Sequence, residues 1–166
     1  LLVVDCAAHL LVQTRKAKSL AVARQKAEEC FNSGAPRRKW DEMLQAQGAD
    51  LTAFRRKLAK DVTARVAVEL KAKRSGYVAR CDARILGEVI RDIGGGRLTK
   101  EATIDYDVGV DQLVKPGQPI KAGATLCRIH AAGAKQAAMA QARLEAAFAI
   151  SPKPPKRIRL LAQVIG

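Results

Sequence analysis

The glycines between residues 75 and 131 constrain the fold of this chain more than any other feature of its sequence. Gly94–Gly96 interrupt an apolar helical pattern, and Gly117 and Gly123 fall in short segments rich in turn-forming residues. Glycine adopts positive φ angles without strain, so it ends helices and permits tight turns. The spacing therefore predicts a small module of short helices and strands that are joined by tight turns.

The elements of this module can be placed between its turns. Asp82 is a candidate N-cap, because its side chain can accept hydrogen bonds from the first turn of a helix. Alternating and periodic apolar residues predict the remaining elements. In chain order we expect strands at Tyr77–Cys81, Thr103–Tyr106, Val108–Val110 and Thr125–His130, a helix at Ala134–Phe148, an extended linker at Ser151–Pro155 and a final strand at Ile158–Ile165.

The sequence upstream of the module has a helical pattern. Residues 1–12 are apolar on nearly every side of a helix, which predicts a buried helix docked on other structure. Three further helices are predicted: one capped by Ser19, one with Pro36 in its first turn, and a short one capped by Asp50 or Thr52. Between residues 61 and 74 apolar residues alternate with mostly polar ones, which predicts a strand.

These patterns predict an α/β (α+β) fold. Residues 1–60 would form a helical segment that is the remainder of the parent protein's large domain. Residues 61–166 would form a small mixed α/β module. We expect the sequence to be a fragment of a longer protein, because it opens on Leu1 in the middle of a helical pattern. Four cysteines lie far apart without a C-x-x-C pair, which favours isolated thiols in a reducing cytoplasm.

The formal net charge of +14 is unevenly distributed along the chain. Residues 1–74 carry +8, residues 75–150 carry +2 and the tail carries +4. Such a charge favours polyanionic partners but specifies no fold. Three basic clusters could bind nucleic acid, although they lack interleaved aromatic residues for base stacking, so solvated helix faces are the commoner explanation. The clusters are Arg37–Lys39, Arg55–Lys57 and Lys71–Arg74.

Several segments, taken in order, resemble the C-terminal part of thymidine and pyrimidine-nucleoside phosphorylases. They are Asn32-Ser33-Gly34, Gln45–Asp50, Gly94-Gly95-Gly96-Arg97 followed by Ile104-Asp105 and Val108-Gly109, and the run from Gly117 through Gly123 to Ile129-His130-Ala131. The hammerhead-like β motif of that region, related to barrel-sandwich folds, is implied for residues 61–166. The three basic clusters carry more positive charge than we expect for the corresponding segment of this family.

The resemblance implies a parent enzyme that cleaves a pyrimidine nucleoside with inorganic phosphate, giving the free base and pentose 1-phosphate. Members are cytoplasmic homodimers that use phosphate as a co-substrate and need no further cofactor. Their phosphate loop and their base-binding Arg and Lys belong to the N-terminal half. No such loop occurs here, so we predict no catalytic, cofactor-binding or metal-binding residue in this chain, which alone should be inactive and serve a structural role.

Other candidate residues have simpler interpretations. Gly94–Gly96 with Arg97 have the composition of a phosphate loop, but these glycines follow a helix, and phosphate cradles sit at helix N-termini. His9 and His130 have no partnered nucleophile, which favours packing or surface positions. Asp105, Asp107 and Asp111 lack the spacing of a calcium loop, so caps and turn hydrogen bonds are expected.

Two alternative functions remain at the level of sequence. Residues 114–123 resemble half of a biotinyl or lipoyl carrier, yet Lys135 is predicted in a helix and not at a carrier's exposed hairpin. The second is a non-catalytic, basic derivative of the phosphorylase region that acts as an RNA-associated or assembly protein. The sequence leaves the preference for thymidine or uridine and the dimer interface open.

Overall fold

The structure is a computed structural model that describes residues 2–60 and 62–156. The described chain divides into two compact units, with the boundary after Lys60. The first is helical, and the second combines helices with two small antiparallel sheets. This is the predicted mixed α+β class. Within the described residues, every helix is too short or too polar to cross a membrane.

Four helices build the first unit, and their N-terminal caps follow the sequence pattern. They are α1 (Leu2–Gln13), α2 (Leu20–Asn32), α3 (Ala35–Ala46) and α4 (Leu51–Leu58). The Ser19 side chain accepts a hydrogen bond from the Val22 N–H, and the Asp50 carboxylate accepts from Thr52 and Ala53. Gly34, at φ 75°, forms the tight corner between α2 and α3. These caps satisfy backbone donors that a helix start leaves free.

The core of the first unit is small. Ala8, Ala17 and Ala23 are its buried cluster, with Leu11 and Val12 packed against it. The docking of α1 on other structure stays a prediction; within this unit Val4 and Ala8 are the buried residues of α1. The reason is geometric: α2 covers one stripe of α1, whereas the apolar residues of α1 extend around more of its surface.

The second unit contains two three-stranded antiparallel sheets. The first has the order β1-β5-β3 and the second β4-β2-β6. The strands are β1 (Val66–Lys71), β2 (Gly76–Cys81), β3 (Gly109–Asp111), β4 (Pro119–Ile120), β5 (Thr125–Ala131) and β6 (Phe148–Ser151). Helices α5 (Ala83–Ile90) and α6 (Ala134–Leu144) complete the unit.

One hydrophobic core holds these elements together. Residues of α5 and the turn after it meet residues of β5 and α6, and the largest fully buried side chains include Val89, Ile93, Ile129 and Leu144. Burying a side chain of this size contributes about 1.5–3 kcal/mol. The core lies behind the central strand β5, so it fixes the polar residues on that strand.

Three predicted elements differ from the structure. No strand forms at residues 103–106, because the Asp105 N–H bonds to the Gly94 carbonyl oxygen and the Asp105 side chain closes a turn on Asp107. The helix predicted for residues 134–148 ends at Leu144, and β6 follows it. The predicted strand over residues 61–74 begins at Val66 and ends at Lys71. The predicted final strand, residues 158–165, lies outside the described residues.

Candidate functional site

A cluster of three polar side chains lies on neighbouring strands β3 and β5 of the first sheet. The strand register places Asp111 opposite Arg128 and Gly109 opposite His130. Arg128 donates from Nε to Asp111 Oδ1 (2.9 Å) and from Nη2 to Oδ2 (2.6 Å). His130 Nε2 lies 3.0 Å from Asp111 Oδ1. The carboxylate of Asp111 thus has two basic neighbours on the adjacent strand.

The electrostatics of this cluster favour a structural role. The side chains of Arg128 and His130 are 12% exposed, whereas that of Asp111 is 44% exposed. The hydrogen bonds from Arg128, with a smaller effect of His130, lower the pKa of Asp111 to about 2. A carboxylate with this pKa stays ionised at neutral pH and is a poor proton donor or acceptor for catalysis. The cluster can therefore hold β3 against β5. Asp111 is not suited to act as a general acid or base.

The Gly94–Gly96 segment ends a helix, as its sequence predicts. Helix α5 continues into a π-helical turn, Arg91–Gly95, in which Gly94 has φ 98°. A Cβ atom on Gly95 would lie 2.8 Å from Ile90 Cγ2, so this position allows no side chain without movement. Carbonyl groups point out of the turn: the oxygen of Ile93 accepts from Gln136 Nε2 at 2.8 Å. A helix end that presents carbonyls repels anions.

The three aspartates that a metal site would need are not brought together. Asp105 and Asp107 line a cavity of about 390 Å³ with Thr63, Arg65 and neighbouring small residues. Asp111 lies on β3 and binds Arg128 instead. Asp105 Oδ1 accepts from the Asp107 N–H at 3.0 Å, which is the turn bond expected from the sequence. Among the described residues, no group of three or more His, Cys, Asp or Glu is arranged to hold a metal ion.

The sequence comparisons identify the second unit. Residues 77–151 match the family model of the pyrimidine nucleoside phosphorylase C-terminal domain. This range includes β2, α5, the glycine turn, both partners of the Asp111–Arg128 pair and β6. The chain belongs to the thymidine and pyrimidine-nucleoside phosphorylase family, as a C-terminal portion.

Three relatives extend this similarity to most of the chain. A thymidine phosphorylase of Burkholderia cenocepacia is 41% identical over 75% of the chain, and one of Colwellia psychrerythraea is 29% identical over 90%. A pyrimidine-nucleoside phosphorylase of Staphylococcus aureus is 35% identical over 78% of the chain. The matched parts are 28%, 34% and 30% of the respective relatives. The chain thus spans about a third of the length of these phosphorylases.

The segment that resembles a carrier domain has a structural role in the second unit (residues 62–156), which we also call the phosphorylase unit. Within residues 114–123, strand β4 pairs with the start of β2, and the Gly117 N–H donates to the Val78 carbonyl oxygen at 2.8 Å. Lys135 lies in the first turn of α6 and not at the tip of a hairpin. This placement does not present a lysine in the way that a carrier domain requires.

Most cations of the basic clusters have partners. Arg55 and Arg37 share Asp41, at 2.6 and 3.4 Å, and Lys39 binds Glu42. In the phosphorylase unit Lys73 binds Glu145 at 2.6 Å, Lys71 binds Glu69, and Arg74 donates to the Ile150 carbonyl oxygen. The ion pairs are exposed, so solvent screening keeps their contribution to stability small. His9 is half-buried on α1.

Sequence reasoning missed three polar residues that organise the phosphorylase unit. Arg128 binds Asp111 across two strands, and Arg143 Nη1 donates to Asp92 Oδ2 at 2.6 Å, which lowers the pKa of Asp92. Gln136 accepts from the Ala132 N–H and donates to the Ile93 carbonyl oxygen, both at 2.8 Å. The partners Asp111, Asp92 and Ile93 are distant in sequence from these residues, so no local spacing marks them.

Proposed function

We propose that this chain supplies the C-terminal module of an enzyme that cleaves a pyrimidine nucleoside with inorganic phosphate to the free base and pentose 1-phosphate. The observation that carries the proposal is the similarity to thymidine and pyrimidine-nucleoside phosphorylases over most of the chain. The parent enzyme would be a cytoplasmic homodimer with no cofactor beyond its phosphate co-substrate. The chain itself would contribute structure and would be inactive alone.

The contacts of the second unit support a structural contribution. Arg128, Gln136 and Arg143 each join elements that are far apart in the chain. Phosphorolysis needs donors that hold the phosphate and groups that stabilise charge on the departing base. In the described residues the charged groups at the glycine turn and on β3–β5 bind one another instead. A rigid module of this kind can brace a catalytic cleft and support closure of the enzyme on its substrate.

The test uses a fusion with the catalytic part of a relative. The thymidine phosphorylase of Burkholderia cenocepacia is expressed with the stretch that matches this chain replaced by residues 1–166. We expect the fusion to release thymine from thymidine and phosphate, and the 166-residue chain alone to release none. Activity in the chain alone, or a folded fusion without activity while the intact relative is active, would contradict the proposal.

A second function, binding of single-stranded RNA, is favoured by one observation. Trp40 follows directly after the basic cluster Arg37–Lys39 on α3 and is 46% exposed. An exposed indole beside cations suits base stacking and phosphate contacts together. We infer that, if the chain acts outside an enzyme, the N-terminal half of α3 would bind RNA.

This second function has a direct readout, because Trp40 is the only tryptophan of the chain. Binding of a single-stranded RNA homopolymer would quench its fluorescence, and the affinity would fall steeply with added salt. The triple substitution Arg37→Ala, Arg38→Ala and Lys39→Ala would weaken binding at least about tenfold. The control is Lys115→Ala with Lys121→Ala in the second unit. Equal losses in both variants, or no quenching, would exclude a site on α3.

A further inference from the structure

A cleft opens between the two sheets of the second unit. Its volume is about 430 Å³, which is in the range of sites for small organic molecules. Leu70 of β1 and Leu126 of β5 line it from the first sheet, and Phe148 and Ile150 of β6 line it from the second. Leu70 and Leu126 are buried, and the other two are half-buried. We name this space the β1–β6 cleft, and its apolar lining belongs to the hydrophobic core of the unit.

Four charged side chains complete the lining of the β1–β6 cleft, namely Lys71, Lys73, Arg74 and Glu145. Lys73 Nζ lies 2.6 Å from Glu145 Oε2, and Lys71 forms an ion pair with Glu69. The hydrogen bond from Lys71 lowers the pKa of Glu69, so this carboxylate stays ionised at neutral pH. Two of the three positive charges at the cleft are therefore balanced by carboxylates.

The third positive charge belongs to Arg74 and has a different environment. Arg74 Nη2 donates to the Ile150 carbonyl oxygen, which holds the guanidinium beside the apolar lining. A carbonyl group is neutral, and among residues 2–60 and 62–156 no carboxylate forms an ion pair with Arg74. A guanidinium has five N–H donors, so several remain for a further acceptor. Carboxylates suit this group well, because its planar donors can bind both carboxylate oxygens together.

Charge and lining together indicate the chemical class of a ligand. The three cations, less the carboxylates of Glu69 and Glu145, give a local charge of +1. This charge matches one carboxylate, whereas a phosphate monoester carries about −1.5 to −2 at neutral pH and would be only partly compensated. The apolar lining excludes a small polar anion as the best ligand, because it offers a surface for a hydrocarbon chain.

We propose that the β1–β6 cleft binds a monocarboxylate with an apolar body, of the kind represented by a medium-chain fatty acid. The carboxylate binds Arg74, and the hydrocarbon chain lies against Leu70, Leu126, Phe148 and Ile150. Such a ligand contacts both sheets, so its binding stabilises the folded second unit. The site is separate from the proposed phosphorolysis, which needs neither a carboxylate nor a hydrocarbon chain.

The binding test uses octanoate and the intact 166-residue chain. In an NMR titration of backbone amides, octanoate should bind saturably and shift the amide signals of Lys73, Arg74 and Ile150. Octanol, which lacks the charge, and butyrate, which lacks most of the chain, should each bind at least about tenfold more weakly. Equal binding of octanol overturns the proposal. Shifts confined to the apolar groove of the first unit, near Val3 and Leu10, also overturn it.

A pair of arginine variants tests the role assigned to the guanidinium. Arg74→Gln removes the charge and keeps an N–H donor for the Ile150 carbonyl oxygen, and it should weaken octanoate binding at least about tenfold. The matched control is Arg80→Gln. Arg80 is also exposed and donates to a backbone carbonyl, that of Ala146 at 2.9 Å, but it does not line the cleft. Equal affinity in wild type and Arg74→Gln, or equal losses in both variants, overturns the proposal.

A variant with a gain of affinity completes the test. Glu145→Gln removes the carboxylate that balances Lys73, so three cations face one carboxylate and the local charge rises to +2. Octanoate binding should tighten about threefold at low salt, and about 0.5 M sodium chloride should abolish this gain. Weaker binding in a folded Glu145→Gln variant contradicts the assignment. Thymine release by the fusion enzyme is a separate readout, so failure of the cleft and failure of the proposed function are distinguished.

Discussion

Asp111 on β3 and Arg128 on β5 are joined by two hydrogen bonds at a position where the strand register places them directly opposite. β3 has three residues, so its backbone pairing alone offers few hydrogen bonds. The side-chain pair adds a contact in which both groups are charged, and such hydrogen bonds are stronger than neutral ones. It fixes the register at the end of the glycine-rich stretch, next to His130.

The first prediction concerns the charge of Asp111. Its pKa is lowered to about 2 in the folded chain, so the interaction stabilises the fold above the ordinary carboxyl pKa and is lost as the pH falls through about 2. Asp111→Asn should lower the free energy of unfolding by about 1 kcal/mol at neutral pH, a value reduced for solvent screening because Asp111 is partly exposed. Urea unfolding followed by circular dichroism at several pH values measures this.

Measuring the stability of wild type and Asp111→Asn over a range of pH makes the test specific for the charge of Asp111. The difference between them should shrink between about pH 4 and pH 2, because both then lack the charge. Glu101→Gln, at an exposed carboxylate of the same unit, is the control and should change the stability by less than about 0.5 kcal/mol. A difference for Asp111→Asn that stays constant down to pH 2 would show that the loss is steric.

The second prediction compares two glycines. A Cβ atom on Gly76 would lie 2.4 Å from the Ser151 carbonyl oxygen, which belongs to the backbone of β6 and cannot move freely. Gly76→Ala should therefore destabilise the fold by about 2 kcal/mol or more. Gly87 lies inside α5, and a Cβ atom there would meet no other atom within 4 Å, so Gly87→Ala should stabilise the fold by about 0.5–1 kcal/mol. Opposite signs in chemical denaturation are the expected result, and equal effects would contradict this packing.

The local features of the fold were predictable, and the pairings between distant segments were not. The N-caps Ser19 and Asp82 were predicted correctly, and Asp50 was one of two candidates with Thr52, because a cap depends on residues two or three positions away. The predicted helix Ala134–Phe148 runs into the first residue of β6, because the alanine-rich pattern continues to Phe148. What makes β6 a strand is its pairing with β2, about seventy positions earlier in the chain. The periodicity of apolar residues along the sequence does not identify a pairing partner at that distance.

The same distinction applies to the polar sites. The Asp105 side chain was expected to make a cap or turn hydrogen bond, and its bond from the Asp107 N–H agrees with this, although Asp105 was also placed in a strand that does not form. No sequence pattern marked Arg128 as a site residue, because only the antiparallel register of β3 and β5 places it against Asp111. His130 was predicted in a packing or surface position, and it lies beside the same carboxylate. The strand register, which long-range packing sets, brings Asp111, Arg128 and His130 into one cluster.

The third prediction concerns the reactivity of the four thiols. Burial raises the pKa of Cys127 to about 12, and burial also raises the pKa of Cys81. Because the thiolate is the reactive form, Cys127 should be the slowest of the four to react with a disulfide reagent, and the exposed Cys6 and Cys30 the fastest. Timed labelling with peptide mass mapping at about pH 8 measures the order. All four should react rapidly in denaturant, and fast labelling of Cys127 in the folded chain would contradict its burial.

The last prediction tests whether the glycine turn binds phosphate. The turn follows a helix, and its outward groups are carbonyl oxygens, of which that of Gly94 accepts from the Asp105 N–H at 2.9 Å. The side chain of Asp105 lies next to Gly94, and its carboxylate would repel an anion. Phosphate should therefore raise the unfolding temperature of the 166-residue chain no more than sulfate does at equal ionic strength, since both anions strengthen burial through their general effect on water.

Arg97→Ala separates a specific site from this general effect. Arg97 is the cation next to the glycines, so a phosphate site there would depend on it. A ligand that binds only the folded state raises its stability with a saturable dependence on concentration. We expect wild type and Arg97→Ala to respond identically to phosphate. A saturable stabilisation that sulfate does not reproduce, and that Arg97→Ala abolishes, would show that the turn binds phosphate in spite of its carbonyls.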